Sequence, residues 1–290
     1  VNILTGSASR IGDAIIGHPL VRYVNFTGSV DVGRHVMKVA AENITPVTLE
    51  LGGNDAGIVC HDADLSGDAF QRLYRASFMS TGQICFALKR LYVHNSRFDE
   101  VVEGMTAVLN NQIVGDGLLP ETTMGPLNNA KQLKVVKDMI AQARAKGQDV
   151  QELGQVPDGA LYTGGGYFQK PTLVLNADPN LDVVRKEQFG PVLPIMAFEE
   201  ESDAVTMAND DQFGLASSIW TEDRDRAVSM ARQIEAGYSF INAHGPSAQD
   251  GNGPFGGFKK SGIGRNFGYE GVTQFQGYHS ISGAPGSLIA

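Results

Sequence analysis

The sequence predicts an α/β fold, and three observations carry that expectation. From Val1 to Val59 short apolar runs alternate with helical stretches, the rhythm of strand-helix-strand units. The alternation returns downstream, with helix-period stretches at 96–111, 130–146 and 202–209 and strand-like runs at 171–175 and 192–198. Composition is that of a globular chain, 42% hydrophobic and 19% charged over 290 residues, enough to bury a substantial core.

Residues 21–26 read as a strand, Thr27-Gly28-Ser29 as a turn, and 30–43 as a helix with Val32, Val36, Val39 and Ala40 at helical spacing and Ser29 as its N-cap. Residues 47–51 are strand-like and stop at Gly52-Gly53, and a second apolar strand follows at 56–60. Residues 68–81 look helical, end at Gly82, and deliver Gln83-Ile84-Cys85 into a loop ahead of a strand at 90–94. Gly164-Gly165-Gly166 marks a surface turn. The tract 245–268 has the composition of a linker, yet Phe255, Phe258 and Phe267 predict an ordered loop packed on the body. Residues 272–281 alternate enough to form an edge strand. The opening residues 1–6 read as strand ending at a glycine, and a chain starting with Val in this way is expected to be a fragment.

A net charge of −9 repels a nucleic-acid backbone, and the short basic clusters at Lys89-Arg90 and Lys259-Lys260 make no patch that would reverse this. Only Cys60 and Cys85 occur, too few for a disulfide scaffold of this size, so a reducing, cytoplasmic setting is expected. No charged, apolar leader is read at the start, and no run approaches the ~18 apolar residues of a membrane span. The expected partner is therefore a small molecule, without nucleic acid or membrane, and no metal is assigned.

Gly28-Ser29 stands after a strand and opens a helix, where backbone N–H groups and the helix dipole can hold a phosphate; turn geometry alone also explains it. Gly33 lets the helix pack closely or lets a ligand approach. Glu50 ends an apolar strand, where burial raises a carboxyl pKa and makes a general base; the alternative is an exposed edge-strand glutamate. Cys85 lies in a loop that can present a thiol to a cleft, the alternative being a small buried hydrophobe, a description that suits Cys60.

Together, Phe26-Thr27-Gly28-Ser29, Leu49-Glu50-Leu51-Gly52-Gly53 and Gly82-Gln83-Ile84-Cys85, in that order, resemble the aldehyde dehydrogenase superfamily. Lys186-Glu187-Gln188-Phe189-Gly190-Pro191, Gly237-Tyr238-Ser239-Phe240-Ile241-Asn242 and Pro254-Phe255-Gly256-Gly257-Phe258-Lys259 with Ser261-Gly262-Ile263-Gly264-Arg265 extend the resemblance over essentially the whole chain. It implies an aldehyde dehydrogenase-like fold: a remnant of a Rossmann-type dinucleotide-binding domain (1–51), an α/β catalytic domain (52–265) and a C-terminal oligomerisation strand and tail (266–290). It implies a thiolate at Cys85 that adds to an aldehyde, a thioester formed when hydride leaves, and water deprotonated by Glu50 that releases a carboxylic acid. The cofactor implied is NAD or NADP, with NAD preferred. Gly28 and Ser29 match the pyrophosphate turn, with Gly33 beside it in the helix. Leu51 matches the backbone point that holds the carboxamide, Glu187 the acid on the nicotinamide ribose, and Phe189 the aromatic packed against that part of the cofactor. The Cys85 N–H supplies one oxyanion donor. The full-length form is expected to be a homo-oligomer, dimer or tetramer.

Departures from the pattern are Val30 in place of a hydroxyl residue, Asn54 in place of lysine, and Phe86, expected to crowd the substrate channel. The first strands of the dinucleotide-binding domain are not in this chain, so the 290 residues alone are expected to bind cofactor poorly and turn over little. A CoA-acylating relative has no need of Glu50, and a non-catalytic protein that kept the fold has no need of Cys85; both alternatives are weaker for that reason.

Overall fold

Strand β3 (Asp55–Val59) is buried along its whole length, as a strand covered on both faces must be, and the larger sheet is built around it. In the computed structural model, which describes residues 1–157, 159, 162 and 164–284, β3 pairs in parallel with β4 (Leu88–His94) and with β9 (Ala216–Trp220). β4 pairs with β7 (Val192–Phe198), β7 with β6 (Thr172–Leu175) and β9 with β10 (Tyr238–Ile241), all parallel, while β5 (Asp149–Glu152) closes one edge antiparallel to β6. Among the described residues the order is β10-β9-β3-β4-β7-β6-β5, a seven-stranded sheet.

Period-two alternation sends Leu91 and Val93 to one face and Tyr92 to the other. Helices α3 (Ala69–Phe78) and α4 (Phe98–Asn110) cover the first face with Leu73, Phe78, Met105 and Leu109. The second is covered by α5 (Ala130–Ala145), α6 (Asp182–Arg185), α7 (Glu201–Asn209) and α8 (Arg224–Ala231). Truncating any of the fully buried leucines on these faces to alanine costs about 2–5 kcal/mol, most of it lost contact and cavity.

A smaller sheet joins β1 (Val24–Thr27), parallel to β2 (Val47–Glu50), with β12 (Gly262–Ile263) antiparallel on the far side of β2. It packs on α1 (Ala8–Ile16) and α2 (Val30–Ala41) through Ile16, Val36, Leu49 and Leu51. Ser29 caps α2, its side chain accepting from the Val32 N–H at 3.4 Å. A Cβ at Gly33 would lie 2.6 Å from Leu51 Cδ2, so the missing side chain is what lets α2 settle on Leu51. A two-stranded ribbon of β8 (Phe213–Gly214) and β11 (Phe258–Lys259) ties the glycine-rich tract to the body.

Tertiary contacts overrule several local expectations. The helix at 68–81 stops at Phe78, and Ser80 (φ 51°), Thr81 (φ 59°) and Gly82 (φ 72°) form a left-handed run. Thr81 donates to the Gly125 carbonyl at 3.2 Å, and the Gln83 N–H to Ser80 O at 3.1 Å, contacts that hold a conformation costing roughly 1 kcal/mol or more per non-glycine residue. Val32 is exposed despite its helical spacing. In the glycine-rich tract Phe255 is buried but Phe258 and Phe267 are exposed; reciprocal backbone hydrogen bonds between Phe255 and Asn266 order the loop instead. Residues 1–5 have no regular structure. The expected edge strand at 272–281 does not form: α9 (Gly268–Thr273) runs into it, no strand among the described residues lies alongside to supply a ladder, and Phe275 and Tyr278 are exposed. Residues 285–290 of the 266–290 segment lie outside the described residues. β9, β10 and α8 escape the sequence reading because their serines and charges blur both periods. Among the described residues no helix is long and apolar enough to cross a membrane.

An added Cβ at Gly82 would meet the Gly190 carbonyl as well as an unfavourable positive φ. Urea unfolding of Gly82→Ala is expected to show a loss of more than about 2 kcal/mol, because backbone cannot move aside as a side chain can.

Candidate active site

The carboxyl ends of β1 and β2 in the small sheet meet the amino ends of β3, β4 and β7 in the large one. Every segment of interest lies at that junction: Gly28-Ser29 follows β1, Gly52-Gly53 joins β2 to β3, Cys85 precedes β4, and Glu187 to Phe189 precede β7. Between them is a cavity of about 610 Å³ lined by Gly28, Ser29, Leu51, Gly52, Gln83, Ile84, Cys85, Gln132, Glu187 and Phe189, among others. It brings together all the site residues nominated from sequence except Gly33 and Glu50. Gly33 lies beneath, against Leu51. The Glu50 backbone carbonyl takes the Gly28 N–H at 3.0 Å, whereas its carboxyl faces Gly256, where a Cβ would stand 2.9 Å from Oε1.

Glu50 is 6% exposed and lies on the middle strand of the small sheet, which rules out an exposed edge position. Neither carboxyl oxygen has a hydrogen-bond partner among the described residues. Burial pushes its pKa up to about 7, with the Arg265 cation opposing. A proton therefore comes and goes there near neutral pH.

Cys85 is half-buried on the cavity wall. Burial raises its thiol pKa, the Lys89 cation pulls it down, the Asp55 and Glu187 carboxylates push it up, and the Phe86 N–H donating to sulfur favours the thiolate. A Cβ at Gly53 would sit 2.6 Å from the Cys85 carbonyl oxygen and 2.8 Å from Asp55 Oδ1, so glycine is what allows the thiol loop to lie on this turn. Glu187 accepts the Gly53 N–H through Oε1 at 3.2 Å; burial raises its pKa first, and Lys89 opposes. Cys60 fits the other description: it is fully buried, its thiol donates to Met230 Sδ at 3.8 Å, and its pKa is pushed up to about 12.

At the start of α2 the Val30 and Asp31 N–H groups find no acceptor among the described residues, and Arg34 neutralises Asp31 at 3.0 Å. These are the free donors that an anion at a helix N-terminus uses, and they adjoin the cavity wall at Ser29. Phe86 is not among the residues lining this cavity; its ring lies tilted against Phe255, with centroids 4.9 Å apart, in an aromatic cluster against which Cys85 also packs. Asn54 is occupied by Val184 O and Asp211 Oδ2, both at 2.8 Å, and Asn242 by the Thr221 backbone. Three buried polar groups near the thiol escaped the sequence reading: Lys89, Asp55 and His244, the last two 3.4 Å apart. The one sequence signal was a lysine inside the apolar run at 86–93.

The model of the Aldehyde dehydrogenase family matches residues 1–281. The chain is 39% identical over 272 residues to geranial dehydrogenase of Castellaniella defragrans, covering 93% of this chain and 55% of that protein. It is 36% identical to succinate-semialdehyde dehydrogenase [NADP(+)] of Escherichia coli, with 94% and 55% covered. Betaine aldehyde dehydrogenase from Staphylococcus aureus in complex with NAD+ superposes with a TM-score of 0.86 at 33% identity, covering 94% of this chain and 53% of that one. The chain thus spans about half the length of the relatives it matches.

Iodoacetamide followed by peptide mapping is expected to label Cys85 and leave Cys60 unmodified in the folded chain. A second expectation concerns stability. Glu50 has a folded pKa above its unfolded value, so the stability it contributes is complete below about 4.5 and lost as pH rises through about 7. Glu50→Gln should therefore melt at a higher temperature than the parent at pH 8, by on the order of 1–3 kcal/mol in stability, with little gain at pH 4.

Proposed function

The chain belongs to the aldehyde dehydrogenase family, and on that premise we propose that it carries the catalytic half of an enzyme oxidising an aldehyde to a carboxylic acid with NAD or NADP. The observation that supports this reading best is a half-buried thiol on the wall of a cavity whose floor strand ends in a carboxyl titrating near pH 7.

Cys85 loses its proton and its sulfur adds to the aldehyde carbon, converting the carbonyl to an oxyanion that the Cys85 N–H stabilises. When bound, the nicotinamide ring supplies the hydride acceptor that turns the thiohemiacetal into a thioester. Glu50 then takes a proton from water; the resulting hydroxide adds to the thioester carbon, the C–S bond breaks, and carboxylic acid and the Cys85 sulfur are released. A carboxyl titrating near 7 can accept that proton at neutral pH and return it to solvent. Burial disfavours the thiolate, so the Cys85 proton passes to solvent water as the sulfur adds to the carbonyl carbon.

The residues fit a nicotinamide dinucleotide. The free N–H groups after Ser29 suit its pyrophosphate, Glu187 Oε2 accepts no hydrogen bond among the described residues and suits a ribose hydroxyl, and Phe189 and Leu51 give apolar wall beside Cys85. In this reading residues 1–51 belong to the cofactor domain, 52–265 to the catalytic domain and 266–290 to a tail that joins subunits of a dimer or tetramer. The exposed Val272, Phe275, Tyr278 and Ile281 support a subunit contact. A cytoplasmic setting, with both thiols free, belongs to the same proposal.

The chemistry of the thiol and the base can be tested without the redox step. p-Nitrophenyl acetate should acylate Cys85 in a burst, followed by slow hydrolysis whose rate rises with pH through about 7. Cys85→Ala should abolish the burst. Glu50→Gln should keep the burst but slow hydrolysis by about 10²-fold and flatten its pH dependence. A Glu50→Gln protein that hydrolyses its thioester at the parental rate, or one whose acyl group leaves only when coenzyme A is added, would remove the base from the mechanism. Calorimetry with NAD and NADP is expected to show weak binding to these 290 residues, and tight binding would contradict that.

A further inference from the structure

Lys89 is a buried cation that the chemistry proposed above does not use. It is the second residue of β4, 3% exposed, and its ammonium donates to the Ile84 carbonyl at 2.5 Å. The same carbonyl accepts the Ala87 N–H at 3.2 Å, so the peptide joining Ile84 to Cys85 is held by two donors on one side. A trans peptide is planar, with its carbonyl and N–H pointing opposite ways. Anchoring the carbonyl towards the interior therefore turns the Cys85 N–H outward, towards the cavity that Ile84 and Cys85 line. That N–H donates to no protein acceptor among the described residues.

Burying an ammonium is unfavourable unless charge and hydrogen bonds offset it. Burial pulls the Lys89 pKa down, and the groups that oppose this and favour the charged form are Glu187 ahead of β7, Asp55 at the start of β3 and Cys85 itself. Asp55 is held by the Ala216 N–H at 3.1 Å and stands 3.4 Å from His244 Nε2. On the cavity side the ammonium lies 5.8 Å from the Phe189 ring centroid. The same Asp55 and Glu187, together with the Phe86 N–H, are what the Cys85 sulfur meets besides Lys89.

We propose that Lys89 is a positioning residue of the Cys85 loop: it holds the Ile84 carbonyl from the interior side, which aims the Cys85 N–H at the cavity, and it sets a positive charge behind the sulfur. The proposal rests on the reading of Cys85 as a nucleophile that generates an oxyanion. It predicts two separable effects, because alkylation by iodoacetamide needs the thiolate alone whereas acylation by p-nitrophenyl acetate needs the thiolate and the oxyanion donor.

Both rates at Cys85 are measured in the 290-residue chain across pH, with thermal melts as the folding control. Lys89→Met should slow alkylation at pH 7 by about 10-fold, with the profile displaced to higher pH, and slow acylation by about 10²–10³-fold. Lys89→Gln is neutral but can still donate to a carbonyl, and should slow the two reactions by the same factor; it also serves if Lys89→Met does not fold. Lys89→Arg, which keeps both charge and donor, should stay within a few-fold of the parent in both. Equal slowing of the two reactions in Lys89→Met, or no slowing of either, overturns the positioning role. Failure of the function reading looks different: the acylation burst would then survive in Cys85→Ala, whatever Lys89 does.

Discussion

Parallel pairing of β3 with β4, and of β4 with β7, is the constraint on which the site depends. Parallel neighbours start from the same edge of a sheet, so the segments leading into them must lie side by side. Those segments are Gly52-Gly53, the Cys85 loop and the stretch from Glu187 to Phe189, three regions more than thirty residues apart in sequence. The large sheet thus contributes its amino edge. The small sheet contributes its carboxyl edge, where open α/β sheets ordinarily bind ligands, through the turn at Gly28-Ser29 and the end of β2 at Glu50.

Bringing two edges together leaves little room, and glycines accommodate the contact. Gly53 carries no Cβ because the Cys85 carbonyl and Asp55 occupy its place, and Gly33 because Leu51 does. The same closeness excludes water from ionisable groups. Glu50, Lys89, Asp55 and His244 are each buried, and a carboxyl without a partner is held there at a cost in stability. The same desolvation moves Glu50 into the range where a carboxyl exchanges protons at neutral pH.

Much of this was legible in the residues. The turn at Gly28-Ser29 and the helix after it follow from strand-helix punctuation and an N-cap, both local, and the strand at 192–198 from an unbroken apolar run. Cys60 could be set aside because a small hydrophobe in an apolar strand has an ordinary reason to be there. The left-handed run at Ser80 to Gly82 was illegible, because contacts to Gly125 and the close approach of Gly190 impose it against local preference. The surroundings of Phe86 were equally illegible, because the aromatic cluster it joins is assembled from Phe240 and Phe255, far away in sequence. A tail with strand-like alternation forms no strand, since alternation describes a surface and a ladder needs a second strand to pair with.

By itself the sequence determined the kind of fold and the family, and it nominated the thiol, the carboxyl and the turn, because each is written in contiguous residues whose order survives folding. Only the tertiary structure decided what surrounds them. Whether Glu50 is dry, which cation stands behind Cys85, and which way the peptide before it faces depend on segments such as β3, β4 and the Gly256 turn meeting in space. Desolvation and field are properties of that meeting, and no stretch of sequence carries them alone.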